Sequence, residues 1–150
     1  KVGDRRPMTR KTERLPRTRR LLLDTHALLW WMVGDSKLPA FARELIADED
    51  TAVLVSAASV WEIVTKHRLG RLPLPAEAAV DLIQAVHAEG FEVLSINADH
   101  AQTAGRLRGP VGDPFDRMLI AQALEERLAL ISNERPFDAY GITRLWSTRR

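Results

Sequence analysis

Four acidic side chains stand where short apolar runs end or helical stretches begin, positions from which they could meet in one crevice. Asp24 closes the run Leu21-Leu22-Leu23. Glu62 lies one turn into a stretch of helical spacing over residues 57–69, just after the apolar run 52–55. Asp116 opens the helical stretch that starts at Pro114 and runs to about Arg127. Glu134 follows the apolar run 129–132, and Asp113 is a fifth candidate. Carboxylate oxygens are hard donors that suit Mg2+ or Mn2+. One or two such ions can activate water and stabilise the leaving oxygen of a phosphodiester. They also allow several carboxylates to stay ionised side by side, which is otherwise unfavourable.

Each acid taken singly has a structural reading too. An acid at a helix start favours the dipole and can cap the first turn, which suits Asp24, Asp113 and Asp116. Glu62 can pair with Lys66 at i,i+4, and Asp116 can pair with Arg117. Capping explains Glu62 least well, since it sits between Trp61 and Ile63 in an otherwise apolar helix.

The elements that would position these acids alternate along the chain. Leu21-Leu22-Leu23 reads as a buried strand, followed by helices over 25–33 and 36–50 and a second strand over 52–55. Further helices are expected over 57–69 and 76–89, then a strand over 91–96 and a helix over 98–107. A flexible loop follows at Gly109-Pro110-Val111-Gly112. Pro114 sits well at a helix start after Asp113 as cap. Strands over 129–132 and 142–146 complete the series. Ala27, Leu28, Trp30, Trp31, Leu38, Phe41, Leu45, Ile46, Val60, Trp61, Ile63 and Val64 are the core candidates of the first three helices. Such alternation predicts an α/β domain with a mostly parallel sheet of about five strands, covered by helices on both faces. Ligands of such folds sit beyond the carboxyl ends of the strands.

The bulk numbers bound the function. A chain of 150 residues with 45% hydrophobic and 28% charged residues suits one compact domain. It has no cysteine, which excludes disulfides, thiolate metal sites and a cysteine nucleophile, and fits a reducing, cytoplasmic location. No apolar run approaches the length of a membrane span, so no membrane partner is expected. Of the 22 basic and 20 acidic residues, residues 1–20 hold nine and two, leaving thirteen and eighteen for the rest. Residues 1–19 therefore read as a basic, disordered arm that could add sequence-independent RNA affinity, or as residues foreign to the native start. Residues 20–150 form the folded domain.

Other polar groups carry two readings each. Thr25 and Ser56 either orient a ligand or cap helices. His26, His67, His87 and His100 lack the paired spacing of metal ligands. Lys66, Arg68 and Arg71 either contact phosphates or form a solvated face. Trp30, Trp31 and Trp61 either stack a base or pack in the core or a partner interface. Neither a phosphate-binding glycine motif nor a nucleophile-elbow serine appears.

Two stretches are specific in combination: Asp24-Thr25-His26-Ala27-Leu28-Leu29-Trp30 and Asp113-Pro114-Phe115-Asp116-Arg117-Met118-Leu119-Ile120-Ala121-Gln122-Ala123. Between and after them come Ser56-Ala57-Ala58-Ser59-Val60-Trp61-Glu62-Ile63, Leu69-Gly70-Arg71-Leu72, Ile131-Ser132-Asn133-Glu134 and Tyr140-Gly141-Ile142. In this order, over roughly residues 20–147, the chain resembles the PIN-domain family, specifically its VapC-type toxins. The resemblance implies a three-layer α/β/α sandwich and a Mg2+- or Mn2+-dependent endoribonuclease. It also implies the toxin half of a toxin–antitoxin pair, inhibited by a cognate VapB-like antitoxin, and a homodimer. It maps Asp24, Glu62 and Asp116 onto metal ligands, and Glu134 onto a fourth acid that is usually Asp. The extra methylene of Glu134 changes its reach, leaving direct or water-mediated coordination open. Val111 stands where the family commonly has a histidine. A rival reading is a PIN-fold protein that engages an antitoxin or RNA without turnover.

Overall fold

A computed structural model describes residues 19–147. The leucine run becomes strand β1 (Arg19–Leu23), joined by β2 (Thr51–Ser56), β3 (Glu92–Leu94), β4 (Ala129–Ile131) and β5 (Arg144–Leu145). They form one sheet in the order β3-β2-β1-β4-β5. Every pairing is parallel, so the expected mostly parallel sheet is wholly parallel. The arm expected over residues 1–19 lies outside the described residues except for Arg19, which opens β1 opposite Thr51.

The helices are α1 (Thr25–Val33), α2 (Ala40–Ala47), α3 (Ala57–Arg68), α4 (Ala76–Val80), α5 (Leu82–Ala88), α6 (Ala98–Arg106) and α7 (Pro114–Glu126), with a 3-10 helix at Arg135–Tyr140. Side chains alternate across β1, as strand geometry requires. Leu21 and Leu23 join Leu28, Leu38, Ile46, Val86 and Phe91 in one core cluster. Leu22 joins Leu119, Ile120, Leu130 and Phe137 in a second. Two cores separated by a sheet make the three-layer sandwich. β1 is buried along Leu21, Leu22 and Leu23 because both of its faces are covered.

Several expectations are corrected. The single helix expected over 76–89 is broken at Asp81, whose φ of −155° is extended and whose carboxylate accepts the Gln84 N–H. A side chain that satisfies the backbone locally competes with helix continuation, and here it starts a new helix. The helix expected from residue 36 begins only at Ala40, after Pro39 in extended backbone. The strand expected over 142–146 shortens to two residues. Trp61 and Val64, expected in the core, are exposed, whereas Ile63 is buried.

The loop before α7 is pinned rather than flexible. Arg117 donates from Nη1 to the Val111 carbonyl at 2.9 Å, and from Nη2 to the carbonyls of Ala104 and Leu107 at 2.8 and 2.7 Å. The Val111 N–H donates to the Tyr140 hydroxyl at 2.8 Å. Gly109 has φ +150°, and a Cβ there would lie 2.7 Å from the Tyr140 ring, so only glycine lets the loop pass this close. The Val111 side chain is buried with Leu22, Leu119 and Phe137 in the second core cluster, a packing role.

Candidate active site

The parallel topology brings the carboxyl ends of β1, β2 and β4 to one edge. Leu23 pairs with Val55 on one side and with Ile131 on the other. The next residues are Asp24, Ser56 and Ser132, and the Asp24 N–H donates to the Ile131 carbonyl at 3.0 Å. The chain builds outward from β1 to β3 on one side and to β5 on the other. The edge beside β1 is thus the switch point where open α/β sheets leave a crevice.

Asp24 is buried at this edge and caps α1, accepting the Ala27 N–H at 2.8 Å. Burial raises its carboxyl above the usual carboxylate range, against hydrogen bonds from Ser132 and Ala27 that favour the charged form.

Glu62 projects from α3 and is likewise buried. Thr25 Oγ1 lies 2.8 Å from Glu62 Oε1 and 3.0 Å from Ser59 Oγ. A hydroxyl has one hydrogen, and an ionised carboxylate has none. Thr25 therefore donates to Glu62, and Ser59 donates to Thr25. The other oxygen, Oε2, accepts from Lys66 Nζ at 2.7 Å, the i,i+4 pair visible in the sequence.

Asp116 lies in the first turn of α7, half-buried. Its partner is not Arg117, which is spent on the loop carbonyls. Burial and then the negative charges of Asp113, Glu62, Asp24 and Glu134 push its carboxyl up to about 7. Four carboxylates from four segments of the chain thus act on a fifth. Glu134 belongs to this group, since its charge also raises Asp24. Asp113 is exposed and caps α7 through the N–H groups of Phe115 and Asp116, as its structural reading held.

Three supporting residues had not stood out in the sequence. Ser132 is fully buried, hydrogen-bonds Asp24 and accepts the Glu134 N–H at 3.0 Å, tying two acids to the end of β4. Arg144 donates to the Ser132 carbonyl at 3.0 Å while gripping both carboxylate oxygens of Asp138 at 2.8 and 3.0 Å. Ser59 completes the Thr25–Glu62 chain. Ser56 caps α3, accepting the Ala58 N–H at 2.9 Å.

His26 acts on one of these acids, its charge favouring ionised Asp24, and the other histidines are engaged elsewhere. His67 and His87 face backbone carbonyls, His26 stacks on Trp30, and His100 is buried against Glu126. As placed, no three Asp, Glu or His side chains among the described residues stand close enough to hold a metal ion. The donor set nevertheless suits a hard divalent cation. It is all oxygen, burial and then its like charges raise the Asp116 carboxyl to about 7, and Glu62 is engaged by a half-exposed ammonium that a cation could displace.

A family model described as the PIN domain matches residues 21–142. The chain is 30% identical over 116 residues to Ribonuclease VapC22 of Mycobacterium tuberculosis (strain ATCC 25618 / H37Rv), covering 77% of this chain and 87% of that protein. It is 41% identical over 64 residues to Ribonuclease VapC16 of the same organism, a match spanning 43% of this chain and less than half, 44%, of that protein. Among solved structures, VapBC2 from Rickettsia felis bound to a DNA fragment from its promoter superposes with a TM-score of 0.65 at 15% identity. That superposition covers 85% of this chain and 99% of the other.

Proposed function

Because the chain belongs to the PIN-domain family, we propose that it is a divalent-metal-dependent endoribonuclease and the toxin of a toxin–antitoxin pair. The observation that carries this reading is the gathering of carboxylates at the switch-point edge, where burial first and then the charges of Asp113, Glu62, Asp24 and Glu134 push Asp116 up to about 7. The names of the ribonucleases it is similar to support the substrate class.

Asp24, Glu62 and Asp116 are the residues that would hold Mg2+ or Mn2+, with Glu134 acting directly or through water. A bound ion supplies charge neutralisation and activates water for attack on the phosphorus. The chain's own part is to hold these acids in place. Ser132 fixes Asp24 and Glu134, and the Ser59–Thr25 hydroxyls fix Glu62. Lys66 then stands free to meet a phosphate oxygen. Attack by water rather than by the ribose 2′-hydroxyl leaves 5′-phosphate and 3′-hydroxyl ends.

The VapBC neighbour supports an antitoxin partner. An Arg of that partner placed among the carboxylates would compete with metal for the same charge. A homodimer and a cytoplasmic location complete the reading.

The test is cleavage of a structured-RNA pool by partner-free protein, with Mg2+ or Mn2+ and with EDTA. Asp24→Asn and Asp116→Asn run in parallel. Asparagine is as good a helix cap as aspartate, so Asp24→Asn removes charge while keeping α1 capped. Metal-dependent cutting lost in both variants is expected, and cutting that persists in them rejects the reading. The pairing of Lys66 with Glu62 favours a second reading, a PIN-fold protein that binds antitoxin or RNA without turnover. Calorimetry separates the two, since the absence of Mg2+ binding at millimolar concentration supports the second.

A further inference from the structure

Four tryptophans occur in the chain, and three of them are accounted for by packing. Trp30 lies between His26 and Trp146, with ring centroids 5.5 and 5.8 Å away. Trp31 donates its indole N–H to Glu89 Oε1 at 2.8 Å and packs on Phe91. Trp61 differs, being 65% exposed although a large aromatic surface gains much by burial. Its ring is held edge-on by Phe115, with centroids 5.1 Å apart and planes at 77°. An edge-to-face contact fixes a ring while leaving a face open.

The pair lies where the chemistry is expected. Trp61 immediately precedes Glu62 on α3, and Phe115 immediately precedes Asp116 on α7. The two rings therefore bridge the two helices that deliver these acids. Lys66, one turn beyond Glu62, adds a cation on the same helix. An exposed, oriented aromatic face next to phosphate-binding groups is the arrangement that single-stranded nucleic acids use, because every base has a π-face to stack.

We propose that Trp61, steadied by Phe115, is a stacking platform for an unpaired base of the RNA, next to the phosphate bond that is cut. This rests on the ribonuclease reading above. The occupant is a nucleotide rather than a protein because the two rings belong to the chain neighbours of Glu62 and Asp116 on the helices that deliver these acids. A base stacked there belongs to the same strand as the phosphate they attend. The platform selects substrates with an unpaired nucleotide beside the cut.

The test compares wild type, Trp61→Phe and Trp61→Leu on the RNA found to be cut. Leucine keeps an apolar side chain without a π-face, and the site is exposed enough for either variant to fold, checked by circular dichroism. Trp61→Leu is expected to raise KM about tenfold with kcat within about twofold, while Trp61→Phe keeps most of the wild-type KM. An abasic nucleotide beside the cut should impair wild type and add nothing in Trp61→Leu. Equal KM in all three proteins, or a Trp61→Leu defect that is the same on abasic and intact RNA, overturns the proposal. So does a Trp61→Leu variant that keeps its KM but loses self-association or antitoxin binding, which would assign the ring to a protein interface. A metal-free arm separates the two readings. Quenching of the Trp61 fluorescence (wild type minus Trp61→Phe) by a single-stranded mixed-sequence oligoribonucleotide is expected. No cutting by wild type rejects the nuclease alone. Quenching then supports stacking, and its absence overturns it.

Discussion

Without metal, the fold disfavours the charged form of Asp116. Its folded carboxyl sits at about 7 against an ordinary value of 3.8. Between those values the folded chain holds more protons than the unfolded one, so stability falls as pH rises from about 4 to about 7 and stays low above. Asp116→Asn removes the charge and with it the loss. In EDTA at pH 8 the variant should therefore melt above wild type, and at pH 4 the two should converge. Mg2+ should raise the wild-type melting temperature at pH 8 and leave the variant nearly unmoved. A variant that melts lower than wild type at pH 8 in EDTA would mean that Asp116 is a structural acid. The acids were legible as candidates because they end apolar runs or open helical stretches, positions that equally suit caps, a role that Asp24 and Asp113 do fill. Their supports were not. Ser132, Ser59 and Arg144 are ordinary polar residues in sequence, and what distinguishes them is a partner that only the fold brings near, as Ser132 is brought to Asp24. For Trp61 the apolar spacing pointed into the core. A helix lining an open crevice also carries apolar residues on its outer side, and spacing does not separate the two faces.

At the scale of elements, the parallel strands and their alternation with helices followed from the sequence because each buried strand is a short apolar run with an abrupt polar end. The break at Asp81 did not follow. Its cause is one carboxylate choosing the Gln84 N–H, an event with no periodic trace. Nor did the clamp before α7. A cation in the first turns of a helix opposes the dipole, and that mismatch was the available hint that Arg117 has work elsewhere. Its guanidinium ties Ala104, Leu107 and Val111 to α7 and so fixes the approach to Asp113 and Asp116. Arg117→Ala leaves three carbonyls without their charged donor. It should lower stability by about 3 kcal/mol, read from urea unfolding. Arg117→Lys should recover little, since an ammonium does not reproduce the planar fork. A change below about 0.5 kcal/mol would show that the loop holds without the clamp.

Over the whole molecule, charge is divided unevenly along the sequence. The carboxylates occupy the edge where β1, β2 and β4 finish, and β1 starts with Arg19 at the opposite edge. An RNA strand is a polyanion, and a cluster of acids repels it until metal neutralises them. Favourable long-range attraction must come from elsewhere. Residues 1–20 hold nine basic and two acidic residues, whereas the remainder holds thirteen and eighteen. If the arm belongs to the working protein, its lysines and arginines release counterions from RNA and steepen the salt dependence of binding. Removing residues 1–18 leaves β1 intact. It should weaken RNA binding at low salt and reduce the slope of log affinity against log salt by about 2 or more, with kcat unchanged. The affinity of full-length and truncated protein would then converge as salt is raised, because the arm's contribution is the part that salt removes. Parallel slopes for the two proteins would place the attraction on the folded body, with Lys66, Arg68 and Arg71 on and after α3 as the groups to neutralise next.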